Sequence, residues 1–250
     1  KRTQKRNPKR TQKRNQKRTQ KRKYFKKKIK RIQVGGIEWD DRMLDGLKQK
    51  NLIFERLLGE GSSGHVIEVK DNNDGKFYAI KIQEKCNVDY FELDIISKIS
   101  GCNVGVVTEY WGFDEWLYAK MPFFGRGELF LMIEKGIHPF DGRKMNDFSR
   151  RMIIHILNQV KCIHSNGVAH RDLKLENIVV GDDNIPHLID FGDAEEFQCS
   201  LGLWKIKGTA QYIAPEVINK WTKTDELSSS YDVIKADIYS LGIILYVVAT

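Results

Sequence analysis

The chain has 250 residues, enough for one large domain or two smaller ones, and it is 41% apolar and 30% charged. These proportions exclude a collagen-like chain, a disulfide scaffold and a wholly disordered chain. The longest apolar stretch, residues 243–249, is far shorter than the ~20 residues of a membrane-spanning helix. The net charge of +9 is unevenly divided, because residues 1–32 contain 18 Lys and Arg and no acid, whereas the rest contains 24 Lys and Arg against 33 Asp and Glu.

Residues 1–32 form a basic tail of four-residue repeats such as KRTQ and KRNQ, with a second basic cluster at residues 26–31. Since the tail has almost nothing apolar to bury and its charges repel, we expect it to be disordered. Its charge suits a nonspecific anionic partner, either nucleic acid or an acidic membrane surface. Docking onto the acidic body and a solvated spacer without a role are the alternatives. We assign residues 33–53 to a connecting segment and expect a folded domain over residues 54–250.

The cysteines are Cys86, Cys102, Cys162 and Cys199, and their spacing matches no metal site. We therefore predict free thiols in a reducing compartment. The charged N-terminus lacks the apolar core of a secretory signal, so we expect an intracellular protein, cytoplasmic or nuclear. A chain that starts at a lysine rather than a methionine is typical of a fragment or a processed form.

A glycine-rich loop opens the folded part. The segment LLGEGSSGHV (57–66) has its glycines in GxGxxG spacing, which also occurs in dinucleotide-binding units. There the third glycine opens a helix, whereas here an alternating run (66–70), a turn (72–75) and a second strand (77–82) follow. We predict that the loop joins antiparallel strands and covers phosphates, with backbone N–H groups exposed where a Cβ would block them. A glycine-rich hairpin without a ligand is the alternative.

The second strand ends in YAIK and places Lys81 among apolar residues. A buried ammonium group needs an acidic partner, because it is costly without one. The following segment, 88–100, has apolar residues at helical spacing and offers Glu92 as that partner. Asp89 and Asp94 are the competing choices.

Further along, apolar residues at helical spacing from Phe148 to Asn166 predict a helix that includes Leu157 on its apolar face. After this helix come AHRDLKLENIVV (169–180), HLIDFGDAEEF (187–197), APE (214–216) and DIYSLG (237–242). Together with GEGSSGHV and YAIK, these strings stand in the order of the eukaryotic-type protein kinases, which the chain resembles over residues 54–250.

The resemblance implies an α+β, bilobal protein-kinase fold, with a β-rich N-lobe at about 54–121 and a mainly helical C-lobe at about 125–250. Helices that the family has after the position of Thr250 are missing, so we expect a truncated C-lobe, with a minimal kinase that has a weakened C-lobe as the alternative. The implied activity is transfer of a phosphoryl group from ATP, with Mg²⁺, to protein substrates. An inactive kinase-fold scaffold and a nucleic-acid-associated protein that acts through its tail are the rival functions.

The resemblance also assigns roles. Asp172 orients the substrate hydroxyl and accepts its proton, Lys174 approaches the γ-phosphate, and Thr209 bonds both. Asn177 and Asp190 supply oxygen ligands to Mg²⁺. The Lys81–Glu92 pair completes the set of catalytic residues that the resemblance implies. The residues implied to bind the nucleotide are Leu58, Gly59, Glu60, Gly61, Ser62, Ser63, Gly64, His65, Val66, Ala79, Lys81, Met121, Pro122, Phe124 and Glu128.

Two details refine the class. HRDLKxxN with Lys174, and Gly-Thr at 208–209, resemble the serine/threonine kinases. The segment LYAKMPFFGRGELF (117–130) resembles the hinge, with Met121 as gatekeeper, and its GELF is most like the calcium/calmodulin-dependent kinase group. Since Pro122 has no N–H, it offers adenine only its C=O, and the N–H of Phe124 must be the donor.

Substrate and regulation follow from charge. Glu128 and Glu176 match positions that, in basophilic relatives, face arginines upstream of the acceptor, so we expect basic substrates; solvated acids, or a ribose contact by Glu128, are the alternatives. Arg171, beside the catalytic aspartate, normally pairs with a phosphate on the activation segment. Here we expect a carboxylate of DAEEF (193–197) to neutralise it, with Ser200 as the competing phosphoacceptor.

Overall fold

The computed structural model describes residues 31–34, 37–61, 64–87, 91–136, 140–141, 144–145, 147–199, 201–221 and 228–249. The predicted basic tail up to residue 30, together with Ser62, Ser63, Asp89 and Ser200, lies outside the described residues. In the described ranges, no helix combines the length and apolar character needed to cross a membrane.

The first lobe is built on an antiparallel sheet, preceded by a hairpin and a helix. The hairpin consists of β1 (Arg31–Val34) and β2 (Ile37–Asp40), and the helix is α1 (Asp41–Lys48). The five strands of the sheet are β3 (Leu52–Gly61), β4 (Gly64–Asp71), β5 (Phe77–Glu84), β6 (Glu109–Phe113) and β7 (Trp116–Pro122), in the order β3–β4–β5–β7–β6. The prediction that the glycine-rich loop joins antiparallel strands is confirmed, because β3 pairs antiparallel with β4.

Helix α1 covers the outer face of this sheet. Met43 and Leu47 are buried in one apolar cluster with Trp111 and Tyr118. The tyrosine hydroxyl donates to the carbonyl of Met43 (2.9 Å), and the indole N–H donates to the carbonyl of Gly46 (3.0 Å). A Cβ at Gly46 would lie 2.3 Å from the tyrosine oxygen, so only glycine fits there. Part of the predicted connecting segment (33–53) is therefore a helix that packs on the sheet, because the sheet exposes an apolar outer face and α1 buries it.

This packing makes Leu47→Ala a test of α1. Leu47 is 1% exposed, so we expect the truncation to lower the free energy of unfolding by about 2–5 kcal/mol, through lost burial and the cavity left behind. Urea unfolding measures this, with Lys48→Ala as control because that side chain is 72% exposed. A loss below about 1 kcal/mol for Leu47→Ala would show that α1 does not stabilise the lobe.

The second lobe is mainly helical, as the family resemblance implies. Helix α2 (Phe91–Ile99) links the sheet to it, and its own helices are α3 (Leu129–Glu134), α4 (Asp147–Ser165), α5 (Pro215–Trp221) and α6 (Val233–Ala249). The short strands are β8 (Gly127–Glu128), β9 (Phe140–Asp141), β10 (Lys144–Met145), β11 (Val168–Ala169), β12 (Ile178–Val180), β13 (Pro186–Leu188), β14 (Glu195–Glu196), β15 (Leu201–Lys205) and β16 (Ser228–Asp232).

Helix α4 runs through the core of this lobe, as its apolar spacing predicts. Met152, Ile156, Val160 and Ile163 are buried in a cluster that also holds residues of α2 and α6. Leu157 is 40% exposed, contrary to the prediction, because the buried face follows spacings of four, four and three residues and leaves position 157 to one side.

Two cysteines differ from the prediction of free thiols. Cys102, just after α2, and Cys162, on α4, form a disulfide with a Cα–Cα distance of 5.5 Å. They are 60 residues apart in sequence, so only the packing of α2 against α4 brings them together. Cys86 and Cys199 are free and exposed.

Candidate active site

A cavity of about 690 Å³ lies between the two lobes, under the sheet and the glycine-rich loop. Its roof is formed by β3, β4 and β5, and its back by β7 and the hinge that follows Met121. Among the residues implied for nucleotide binding, those that line it are Leu58, Gly59, Val66, Ala79, Lys81, Met121, Pro122, Phe124 and Glu128. Glu60, Gly61, Gly64 and His65 are described but do not line it.

Two glycines of the loop are required for different structural reasons. Gly64 has φ +119°, and a Cβ there would lie 2.2 Å from the carbonyl oxygen of Ile82, so a side chain would break the loop's contact with β5. Gly59 has no atom within 4 Å of its Cβ position, which leaves its backbone open toward the cavity it lines. Such an open backbone can approach a phosphate closely.

Lys81 lines the cavity from β5. Its predicted partner, Glu92, lies in α2, four residues before the cavity-lining Ile96, but its side chain is outside the described part of the structure. Of the two competitors, Asp94 is exposed, and Asp89 falls in an undescribed stretch.

The predicted catalytic residues of the C-lobe form one hydrogen-bonded cluster. The Lys174 ammonium donates to Asp172 Oδ2 (2.6 Å) and to the Thr209 hydroxyl oxygen (3.1 Å), and that hydroxyl donates to Asp172 Oδ1 (2.8 Å). The Asn177 amide donates to the backbone carbonyl of Asp172 (2.9 Å) and to its Oδ2 (3.2 Å). A loop 35 residues away in sequence thus helps to hold the side chains of the catalytic loop.

This cluster keeps Asp172 ionised. Burial opposes its ionisation, but the hydrogen bonds from Lys174 and Thr209 outweigh burial and lower the pKa of Asp172. In the same pair, burial disfavours the charged amine, but the bond to Asp172 prevails and raises the pKa of Lys174. At neutral pH the site therefore holds a carboxylate that can accept a proton and an ammonium that can face a phosphate.

The residues present fit a magnesium–nucleotide complex. Asp190 and Asn177 both line the cavity and carry oxygens, the ligands that Mg²⁺ prefers. Because the Asn177 amide nitrogen is committed to Asp172, its oxygen is left to coordinate. Asp190 and Arg171 have left-handed backbones, with φ of 60° and 66°. For Arg171 in particular this conformation is strained and persists only because the surrounding structure holds it, as is common at functional sites.

Several residues that support the site were not singled out from the sequence. Asp237, 1% exposed, accepts the backbone N–H groups of His170 and Arg171 (2.8 Å each) and lies 2.8 Å from His164 Nε2. The DIYSLG motif was the signal for it. Val179 and Ile189 line the cavity beside the predicted residues. In the sequence, only their positions next to the DLKLEN and DFG motifs could have indicated this role.

The sequence profile of the protein kinase domain matches residues 52–250. Similar proteins include calcium-dependent protein kinase 4 of Plasmodium berghei (31% identity; 80% of this chain and 39% of the relative), CBL-interacting protein kinase 5 of Oryza sativa (31%; 77% and 41%) and the serine/threonine-protein kinase AtPK1/AtPK6 of Arabidopsis thaliana (30%; 78% and 41%). The chain belongs to the protein kinase family, as its motifs predicted. It spans about two fifths of the length of these relatives.

Proposed function

We propose that the chain transfers the γ-phosphoryl group of ATP to serine and threonine hydroxyls of protein substrates. The observation that carries this proposal is the Asp172–Lys174–Thr209 cluster beside a cavity lined by Lys81 and Asp190. Phosphoryl transfer needs an aligned hydroxyl and neutralised phosphate charge rather than a covalent intermediate, and these side chains supply both.

Each residue has a definite part in the proposed reaction. Asp172, held ionised by Lys174 and Thr209, aligns the substrate hydroxyl and accepts its proton. Lys174 and Lys81 neutralise phosphate oxygens. Asn177 and Asp190 would hold magnesium, which when bound shields the charge of the phosphates. The carbonyl of Pro122 and the N–H of Phe124 would orient the adenine.

The function is tested by incubating the full chain with magnesium, γ-labelled ATP and a library of peptides that contain serine, threonine or tyrosine. We expect label on serine or threonine, and none with the Asp172→Ala variant. If wild type and variant label the peptides equally, the chain does not act as a kinase, and a role as an inactive scaffold replaces the proposal.

The charges near the cavity support a preference for basic substrates. Glu128 lines the cavity from β8, and Glu176 lines it from the catalytic loop. Burial, and next the charge of Glu176, raise the pKa of Glu128. Oε2 of Glu176 is buried and has no hydrogen-bond partner among the described residues. A guanidinium group placed against these two acids would offset their mutual repulsion and donate a hydrogen bond to Oε2 of Glu176. We therefore propose that arginine upstream of the acceptor binds here.

We expect Glu176→Gln to raise the KM for an arginine-containing peptide about tenfold or more at nearly unchanged kcat, because one partner of a buried charge pair is lost. The KM for the same peptide with alanine in place of arginine should be unaffected by this substitution. Glu134→Gln, an exposed acid at the end of α3, is the matched control. Equal KM values for both peptides with the wild-type chain would refute the preference.

The raised pKa of Glu128 gives this preference a pH dependence. Arginine pairs with the ionised carboxylate, so selectivity is complete above the pKa of Glu128 and is lost as the pH falls through it. Selectivity is measured as the KM for the alanine peptide divided by the KM for the arginine peptide. Because the pKa of Glu128 is raised, this ratio should fall to half its maximum at a pH above 4.5, the ordinary pKa of a glutamate. Asp172 stays ionised there, since its pKa is lowered. A half-point at or below pH 4.5 would contradict this account.

A further inference from the structure

Three residues after Asp190 begins the acidic strand (β14 with the turn that precedes it, residues 193–196), which contacts three separate parts of the site. Glu195 pairs with Arg171, the neighbour of the catalytic aspartate. Glu196 pairs with Lys98 of α2, and Asp193 pairs with Lys207 at 2.6 Å. The two glutamates reach opposite sides because β14 pairs with β11 as an extended strand, in which successive side chains alternate.

Each of the three cations belongs to an element that carries part of the proposed machinery. Lys98 lies on the helix that holds Glu92, Arg171 precedes Asp172, and Lys207 precedes the Gly-Thr pair whose hydroxyl bonds Asp172. We infer that the acidic strand positions these three elements relative to one another, and that its fixed carboxylates do so without a phosphate on the activation segment. This inference rests on the proposed function.

The three pairs do not contribute equally. The side chain of Arg171 is 4% exposed and that of Glu195 is 38% exposed, so the cation of this pair lies in a poorly screened environment. Arg171 also lies 3.4 Å from the hydroxyl of Tyr231, which brings no charge. The side chains of the other pairs are 31–44% exposed, where solvent and salt weaken ion pairs. Glu195 is therefore the main positioning residue of the strand, and Glu196 and Asp193 are secondary.

Loss of Glu195 would directly affect the position of the catalytic loop. The backbone N–H of Arg171 is held by Asp237, and Asp172 follows in the chain, so a shift of the arginine moves the reacting carboxylate. A displacement of about 1 Å costs on the order of 100-fold in rate, whereas the nucleotide cavity, which none of these acids lines, is unaffected. The effect belongs to kcat and not to the KM for ATP.

The experiment compares full-length variants after phosphatase treatment, with kcat and the KM for ATP measured on one peptide. We expect treated wild type to keep its activity. Glu195→Gln should lose about 10- to 100-fold in kcat with the KM for ATP within about twofold, and Glu196→Gln should lose less than about fivefold. Glu115→Gln, which removes one of the two acids that pair with Arg42 at the β6–β7 turn, is the control and should keep wild-type kcat.

A double variant separates charge balance from simple damage. Arg171→Gln with Glu195→Gln removes both charges, so its kcat should exceed that of Glu195→Gln alone, and this comparison also serves if the single variant fails to fold. The inference is overturned if treatment abolishes wild-type activity, if Glu195→Gln stays within twofold of wild-type kcat, or if the double variant is no more active than the single one. Absence of any Asp172-dependent phosphorylation would instead refute the proposed function.

Discussion

Replacing Asp172 by asparagine is expected to lower kcat by about 10²- to 10⁴-fold, while the KM for ATP stays within about twofold of wild type. Asparagine keeps the shape of the side chain and one oxygen for the Thr209 hydroxyl, but it cannot accept the proton of the substrate. Nucleotide binding is preserved because Asp172 is not among the residues that line the cavity. Proton acceptance matters in the transition state and not in ground-state binding, so the loss falls on kcat.

Steady-state phosphorylation of a peptide and nucleotide titration measure the two quantities. Asp182→Asn is the matched control, since it makes the same chemical change on an exposed turn after β12. If Asp172→Asn retains kcat within twofold of wild type, Asp172 is not the base, and the proton must leave by another route.

The motifs predicted the lobes, the cleft and the catalytic cluster because their residues act through short, local geometry. Asp172, Lys174 and Asn177 lie within six residues, and their contacts follow from the loop that holds them. The sequence also predicted that a carboxylate of DAEEF would neutralise Arg171. Which acid does so depends on the register of β14 against β11, and the structure identifies Glu195.

Features that depend on distant packing were not predictable in the same way. Helix α1 has eight residues. Its buried Met43 and Leu47 pack against the apolar outer face of a sheet whose strands come later in the chain, so the role of the helix cannot be seen from its own sequence. The Cys102–Cys162 disulfide likewise depends on how α2 meets α4. In both cases the sequence shows residue types with an ordinary local explanation, and the decisive partner is about 60 residues or more away.

Replacement of Asp237 by asparagine is expected to lower the free energy of unfolding by about 3–5 kcal/mol and kcat by about 100-fold or more. Its two oxygens accept the backbone N–H groups of His170 and Arg171, and Oδ2 also lies 2.8 Å from His164 Nε2. An asparagine has one oxygen and one NH₂ group, so one backbone N–H would face another donor inside the protein. The catalytic loop must then move, and Asp172 moves with it.

Thermal or urea unfolding and peptide phosphorylation test this expectation side by side. Asp232→Asn is the matched control at the start of the same helix, α6, where Oδ1 accepts the N–H groups of Ile234 and Lys235 (3.1 Å each). Asparagine caps helices as well as aspartate, so the control should lose no more than about 0.5 kcal/mol and keep its kcat. Equal losses in the two variants would mean that Asp237 only stabilises its helix. A large loss of kcat confined to Asp237→Asn would show that this buried carboxylate holds the backbone on which Asp172 is presented.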